Sequence, residues 1–116
     1  MQKTVFFLIC SFLSLGIHAQ SLIGAWEGFY TSEENENLRS VLIFSDEYQV
    51  VTSYNADTGA FISTNDGSWK LDGHTLTIVV EFNSKNPENV GEEIKFKLAI
   101  NDSVFEILGS GIEMKR

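Results

Sequence analysis

The sequence has little cysteine, proline or basic charge, and each shortage excludes something. Among 116 residues there is one cysteine and one proline, Cys10 and Pro87. A lone cysteine near the N-terminus leaves the rest of the chain without a disulfide, a thiolate nucleophile or a cysteine metal site. Lysine and arginine total 8 against 16 Asp plus Glu, a net charge of −8. Such a balance repels phosphate backbones and excludes nucleic acid as a partner. Beyond residue 20 there is one histidine, His74, and no apolar run of membrane length, so no membrane span is expected. Apolar patterning at helical spacing is also missing. What is present is globular: 43% hydrophobic and 21% charged residues, with 9 Phe, 3 Tyr and 2 Trp.

Residues 1–19 read as a secretory signal peptide. Lys3 precedes an apolar run from Val5 to Ile17, and the small residue Ala19 stands before the expected cleavage at Gln20. A membrane anchor is the rival, but the run is shorter than the ~20 residues a span needs. A lipoprotein signal on Cys10 is a second rival. It would need a small residue where Ile9 stands, and the cysteine lies mid-run. The expectation is therefore one domain, residues 20–116, exported to the periplasm or the extracellular space.

Segments rich in β-branched and aromatic residues alternate with Asn, Asp, Gly and Ser clusters, which predicts strands at 25–31, 38–44, 48–55, 60–71, 74–82, 92–100, 103–108 and 111–116. Asp72-Gly73 is a strong two-residue hairpin signal, and Asn101-Asp102 and Gly109-Ser110 are similar. These turns set Trp69 opposite Leu76, Leu98 opposite Phe105, and Phe105 opposite Met114. Loop 56–59 sets Tyr54 opposite Phe61 and Thr52 opposite Ser63. Loop 45–47 sets Phe44 opposite Tyr48 and Leu42 opposite Val50. Nearest-neighbour links imply an up-and-down antiparallel sheet. With no helices to cover its apolar face, such a sheet is expected to close into a small eight-stranded all-β barrel, a two-sheet sandwich being the structural rival.

Gly24-Ala25-Trp26 enters the first strand, Phe44 stands at a hairpin, Gly67-Ser68-Trp69-Lys70-Leu71 leads a later hairpin, and Met114-Lys115-Arg116 ends the chain. In that order the pieces resemble the calycins, the group that includes lipocalins and fatty-acid-binding proteins. The likeness is nearest to small exported bacterial lipocalin-like domains, and it spans nearly all of residues 20–116. The sequence departs from larger lipocalins in having no long C-terminal helix and no disulfide, and from fatty-acid-binding proteins in having no helical lid. The resemblance implies a lipocalin-like barrel and a tendency to bind apolar molecules. It also implies structural roles for Gly24, Trp26, Trp69 and Arg116, with the Arg116 guanidinium packed over the Trp26 indole to close one end.

Catalytic chemistry is hard to assemble. His74 follows a turn, where a solvated histidine is the simplest reading, and no serine sits on a recognisable elbow. The run Glu33-Glu34-Asn35-Glu36 lacks the spaced ligands and glycine of a calcium loop and reads as a solvated acidic loop. Strand alternation sends Glu81 and Glu93 outward. No enzyme, metal or cofactor is expected.

The expected inward face is divided. Ile78, Val80, Phe96, Leu98, Phe105, Ile107 and Met114 form an apolar wall. Facing it are Ser40, Thr52, Ser63 and Asn65, beside Tyr30, Phe44, Tyr54 and Phe61. Tyr30, Ser40, Phe44, Thr52, Tyr54, Phe61, Ser63, Asn65, Phe96 and Phe105 are thus the candidate ligand-binding residues of a monomeric barrel, for a small apolar or amphipathic molecule. The rival is a filled core, with an accessory or protein-interaction role on the outside. There Val41, Ile43 and Val51 would form an exposed aliphatic patch, next to outward Gln49, Ser53 and Asn55.

Overall fold

A computed structural model of the chain describes residues 22–116, so the expected signal peptide and its cleavage site lie outside the described residues. Eight strands follow one another as β1 Gly24–Thr31, β2 Asn37–Phe44, β3 Tyr48–Asn55, β4 Phe61–Asp72, β5 Thr75–Asn83, β6 Glu93–Ile100, β7 Val104–Ile107 and β8 Ile112–Lys115. Every boundary falls within one residue of the sequence expectation. The only described helix is a 3-10 turn at Pro87–Asn89, in the long β5–β6 connection. The strands form one closed antiparallel barrel in chain order, sealed where Glu27 of β1 pairs with Lys115 of β8. Closure removes the exposed edges that eight strands without covering helices would otherwise present. It decides against the two-sheet sandwich.

The turns explain how the strands pair, and where pairing departs from expectation. The β7–β8 hairpin pairs Phe105 with Met114 and Ile107 with Ile112 as anticipated. In the β4–β5 hairpin Leu71 faces Leu76 and Trp69 faces Ile78, two residues beyond the expected register. Gly73 has φ +62° and His74 has a negative φ, so the two-residue turn is Gly73-His74. Positive φ at the first central residue alone is the pattern of a II′ turn, which places glycine first. The β6–β7 hairpin shifts likewise, pairing Leu98 with Ile107. There Asn101 Oδ1 accepts from the backbone N–H groups of Ser103 and Val104 at 3.1 and 3.0 Å, an Asx turn around Asp102-Ser103. Both shifts are of two residues, so every side chain keeps its face.

β3 behaves differently. Phe44 pairs with Gln49 and Leu42 with Val51, one residue away from the expected register. The connecting loop is shorter than anticipated. Ser45 N–H donates to the Tyr48 carbonyl at 2.8 Å, leaving only Asp46-Glu47 in the turn. Ser45 Oγ reinforces this by donating to the same carbonyl at 3.0 Å and accepting from Tyr48 N–H at 3.3 Å. The single-residue slip inverts the strand. Gln49, Val51 and Ser53 face inward, and Val50, Thr52 and Tyr54 face out. Two bulges follow. Tyr54 pairs with Phe61 but Ser53 with Ser63, leaving Ile62 as an extra residue. Gly67 pairs with Val80 but Asp66 with Phe82, leaving Glu81 extra and turning Phe82 outward, where it is 49% exposed.

The core lies toward the end of the barrel holding both chain termini of the domain. Leu22, Trp26, Phe44, Leu98 and Phe105 are buried there almost completely. The rings interlock edge to face: Trp26 with Phe105 at 4.8 Å, Phe44 with Trp69 at 4.9 Å, and Phe44 with Phe105 at 6.5 Å between centroids. The loops 32–36, 56–60, 84–92 and 108–111 gather at the opposite end.

Candidate functional site

Above the aromatic plug, the barrel holds a partly open cavity of about 310 Å³. One wall is apolar, formed by Leu76, Ile78 and Val80 of β5, Ile94 and Phe96 of β6, Phe105 and Ile107 of β7, and Ile112 and Met114 of β8. The opposite wall mixes Leu42 and Val51 with polar groups: Tyr30, Ser40, Gln49, Ser53 and Asn65, with Asn83 joining from the end of β5. Among the described residues, no acidic, basic or histidine side chain lines the cavity. The asymmetry follows from the strand sequences. β5 to β8 place aliphatic or aromatic residues at their inward positions, whereas β2 to β4 place hydroxyls and amides at several of theirs.

The polar wall is partly self-satisfied. Ser40 is buried, and its Oγ donates to the Tyr30 hydroxyl at 3.4 Å and lies 3.3 Å from Ser53 Oγ. Asn83 Oδ1 accepts from the backbone N–H groups of Lys85 and Asn86 at 3.0 and 2.9 Å, which anchors the β5–β6 connection. Gln49 is different. It is 2% exposed, and neither Nε2 nor Oε1 has a hydrogen-bond partner among the described residues.

The residues singled out from sequence separate into groups. Tyr30, Ser40, Asn65, Phe96 and Phe105 line the cavity. Phe44 is buried inside the barrel but belongs to the aromatic plug, not to the cavity wall. Ser63 is half-buried and paired with Ser53, yet does not reach the cavity. Thr52, Tyr54 and Phe61 lie on the outside, a correction that follows from the β3 slip and the Ile62 bulge. Thr52 Oγ1 meets Thr64 Oγ1 at 3.1 Å there. Tyr54 stacks edge to face with Phe61 at 6.4 Å and lies under the Arg39 guanidinium at 5.8 Å. Phe61 is 58% exposed.

The same slip brings Gln49, Val51 and Ser53 inward, so the expected outer patch loses Val51. In its place Val50 borders a surface depression with Ile43 and Tyr48. The missed cavity residues Gln49 and Ser53 carried one available signal: Ser45 is a residue type that closes tight turns with its hydroxyl, which shortens the β2–β3 loop.

At the closed end, Arg116 Cζ lies 4.2 Å from the centroid of the Trp26 ring. Arg116 Nη1 donates to the Ile23 carbonyl at 2.8 Å and Nε to the Asp102 carbonyl at 3.1 Å. Trp26 Nε1 donates to the Leu22 carbonyl at 2.9 Å, and Trp69 Nε1 to the Ser45 carbonyl at 2.9 Å. The two Gly-x-Trp glycines differ in purpose. Gly24 has φ +129°, and a Cβ there would come within 2.9 Å of Arg116 Nη1. A Cβ on Gly67 would strike the Val79 carbonyl across the bulge. His74 is exposed in its turn. Among the described residues, no group of three or more His, Cys, Asp or Glu side chains is placed to hold a metal ion.

No protein-family model matches the chain, and neither does any curated protein. Two solved structures share its architecture. One is a lipocalin-like protein from Bacteroides uniformis, with a TM-score of 0.55 and 16% identity over 82% of this chain and 97% of that one. The other is an uncharacterized protein from Bacteroides eggerthii, with a TM-score of 0.53 and 13% identity over 83% of this chain and 99% of that one. The chain has the lipocalin-like fold, an eight-stranded antiparallel barrel.

Proposed function

We propose that the chain is an exported, non-enzymatic binding domain that holds a small apolar or amphipathic molecule inside its barrel. The observation that carries this reading is the cavity of about 310 Å³, with an apolar wall facing a few polar groups. Small-molecule sites have this composition and span roughly 300–1,000 Å³, so the occupant is compact. The lipocalin-like fold supports the reading, since its barrel interior is concave and preformed. Export to the periplasm or extracellular space rests on residues 1–19, and N-terminal sequencing of protein recovered from its host should begin at Gln20 or Ser21.

Binding is tested with naphthalene, a neutral fluorescent probe, alongside native mass spectrometry of the host-derived protein for a co-purified molecule. Saturable naphthalene uptake by the native state is expected. No uptake, with no co-purified molecule, sinks the proposal.

The accessory-domain reading retains one supporting observation. Ile43, Tyr48 and Phe82 are about half exposed, as is Phe61 further along the same outer surface. If the protein acts through that surface, Ile43→Asp should abolish capture of its partner and leave naphthalene binding unchanged.

A further inference from the structure

Gln49 identifies the kind of molecule the cavity takes. The side chain is 2% exposed, borders the cavity, and leaves both its amide donor and its amide acceptor unpaired among the described residues. Its neighbours in the sheet cannot help: on one side it pairs with Phe44, on the other with Gly67, which has no side chain. A buried primary amide without partners is among the costlier groups a core can hold, and native cores rarely keep one without use. The nearby hydroxyls are otherwise engaged, Ser40 with Tyr30 and Ser53.

We propose that Gln49 recognises a neutral cis-amide edge, a primary carboxamide or lactam, on a compact apolar ligand. This rests on the cavity being the ligand site. A primary amide presents a donor and an acceptor side by side, and its complement is an adjacent acceptor and donor. Primary carboxamides and lactams carry that pair on one edge. Charge narrows the choice. With no basic or acidic side chain lining the cavity among the described residues, a carboxylate or an ammonium would be buried there without compensation. The ligand's polar end is therefore uncharged. The apolar wall of Ile78, Ile94, Phe96 and Ile107 takes its hydrocarbon body.

The test uses three probes that share one cyclohexane ring: cyclohexanecarboxamide, its N,N-dimethyl derivative and cyclohexanecarboxylate. Calorimetry on the wild-type protein should show the carboxamide binding about tenfold more tightly than its N,N-dimethyl derivative, which keeps the carbonyl acceptor but has no N–H to give Gln49 Oε1, and more tightly than the carboxylate, which would carry a charge into the cavity. In Gln49→Leu the preference for the carboxamide over its N,N-dimethyl derivative should vanish while the carboxylate stays excluded by its charge, naphthalene should still bind, and the melting temperature should rise, because an unpaired buried amide has been removed. Equal binding of the carboxamide and its N,N-dimethyl derivative by the wild type overturns the proposal, even if the variant fails to fold. A preference for the carboxamide over its N,N-dimethyl derivative that survives in Gln49→Leu also overturns it. Naphthalene binding without amide preference defeats this inference alone. Failure to bind any of the four probes defeats the ligand reading with it.

Discussion

Trp26 shows how one side chain closes an end of the barrel. The indole is 1% exposed, its N–H is satisfied by Leu22, its ring packs edge to face with Phe105, and one face carries Arg116. A guanidinium over an indole is worth roughly 0.5–2 kcal/mol, and Arg116 also ties two backbone carbonyls together. Arg116→Ala should therefore destabilise by about 1–3 kcal/mol, read as a fall in melting temperature. Arg116→Lys should lose most of that too, since an ammonium lacks the planar fork. An unchanged melting temperature in both would remove Arg116 from the account of the closed end. Gly67 is a steric case. Gly67→Ala forces a methyl against the Val79 carbonyl, and backbone cannot swing away as a side chain can. The expected cost is about 1–3 kcal/mol or more, measurable by urea unfolding.

At the scale of the strand, β3 is the element whose faces the pattern leaves undecided. Val50, Thr52 and Tyr54 alternate with Gln49, Val51 and Ser53, and each set mixes apolar with polar residues. Hydrophobic patterning therefore cannot choose the register, and the turn chooses it. Ser45→Ala, which removes both hydroxyl contacts to Tyr48, should cost about 0.5–1.5 kcal/mol and loosen the hairpin, visible as faster amide exchange at Ser45 and Tyr48. The β4–β5 turn offers a second test. Gly73→Ala places a Cβ at φ +62°, a conformation that costs an L-residue about 1–2 kcal/mol. Gly73→Asn should cost less, because asparagine tolerates this region. The comparison is made from urea midpoints at constant m-value.

For the whole molecule, an acidic exterior surrounds an uncharged cavity. Uptake of a neutral probe should then be nearly independent of ionic strength, since screening acts on charge–charge terms. A strong salt dependence would place the binding site on the outer surface. Filling the cavity gives a complementary result. Ser53 borders it and Ser63 does not, so Ser53→Phe should abolish naphthalene uptake at small cost in stability. Ser63→Phe should leave uptake largely intact. Equal loss from both substitutions would mean general disruption of the barrel.

The resemblance to lipocalin-like domains pointed to the closed-end residues, while the sequence by itself determined the strand count, their boundaries and the antiparallel order. Each of these depends on local chemistry: β-branched runs, glycine and asparagine at turns, and a period-two pattern clean enough in β5 and β6 to name their inward side chains. Two-residue errors in the β4–β5 and β6–β7 hairpins did no harm, because they preserve parity. The tertiary structure decided what the polar wall is made of. One residue fewer in the Asp46-Glu47 turn exchanged Thr52 and Tyr54 for Gln49, Val51 and Ser53, and the Ile62 bulge put Phe61 outside with Tyr54. Those choices depend on how β3 meets β2 and β4 at once. Apart from the signal Ser45 gives for a tight β2–β3 turn, that information is not local, and for this reason the unpaired amide of Gln49 becomes legible only once the barrel is closed.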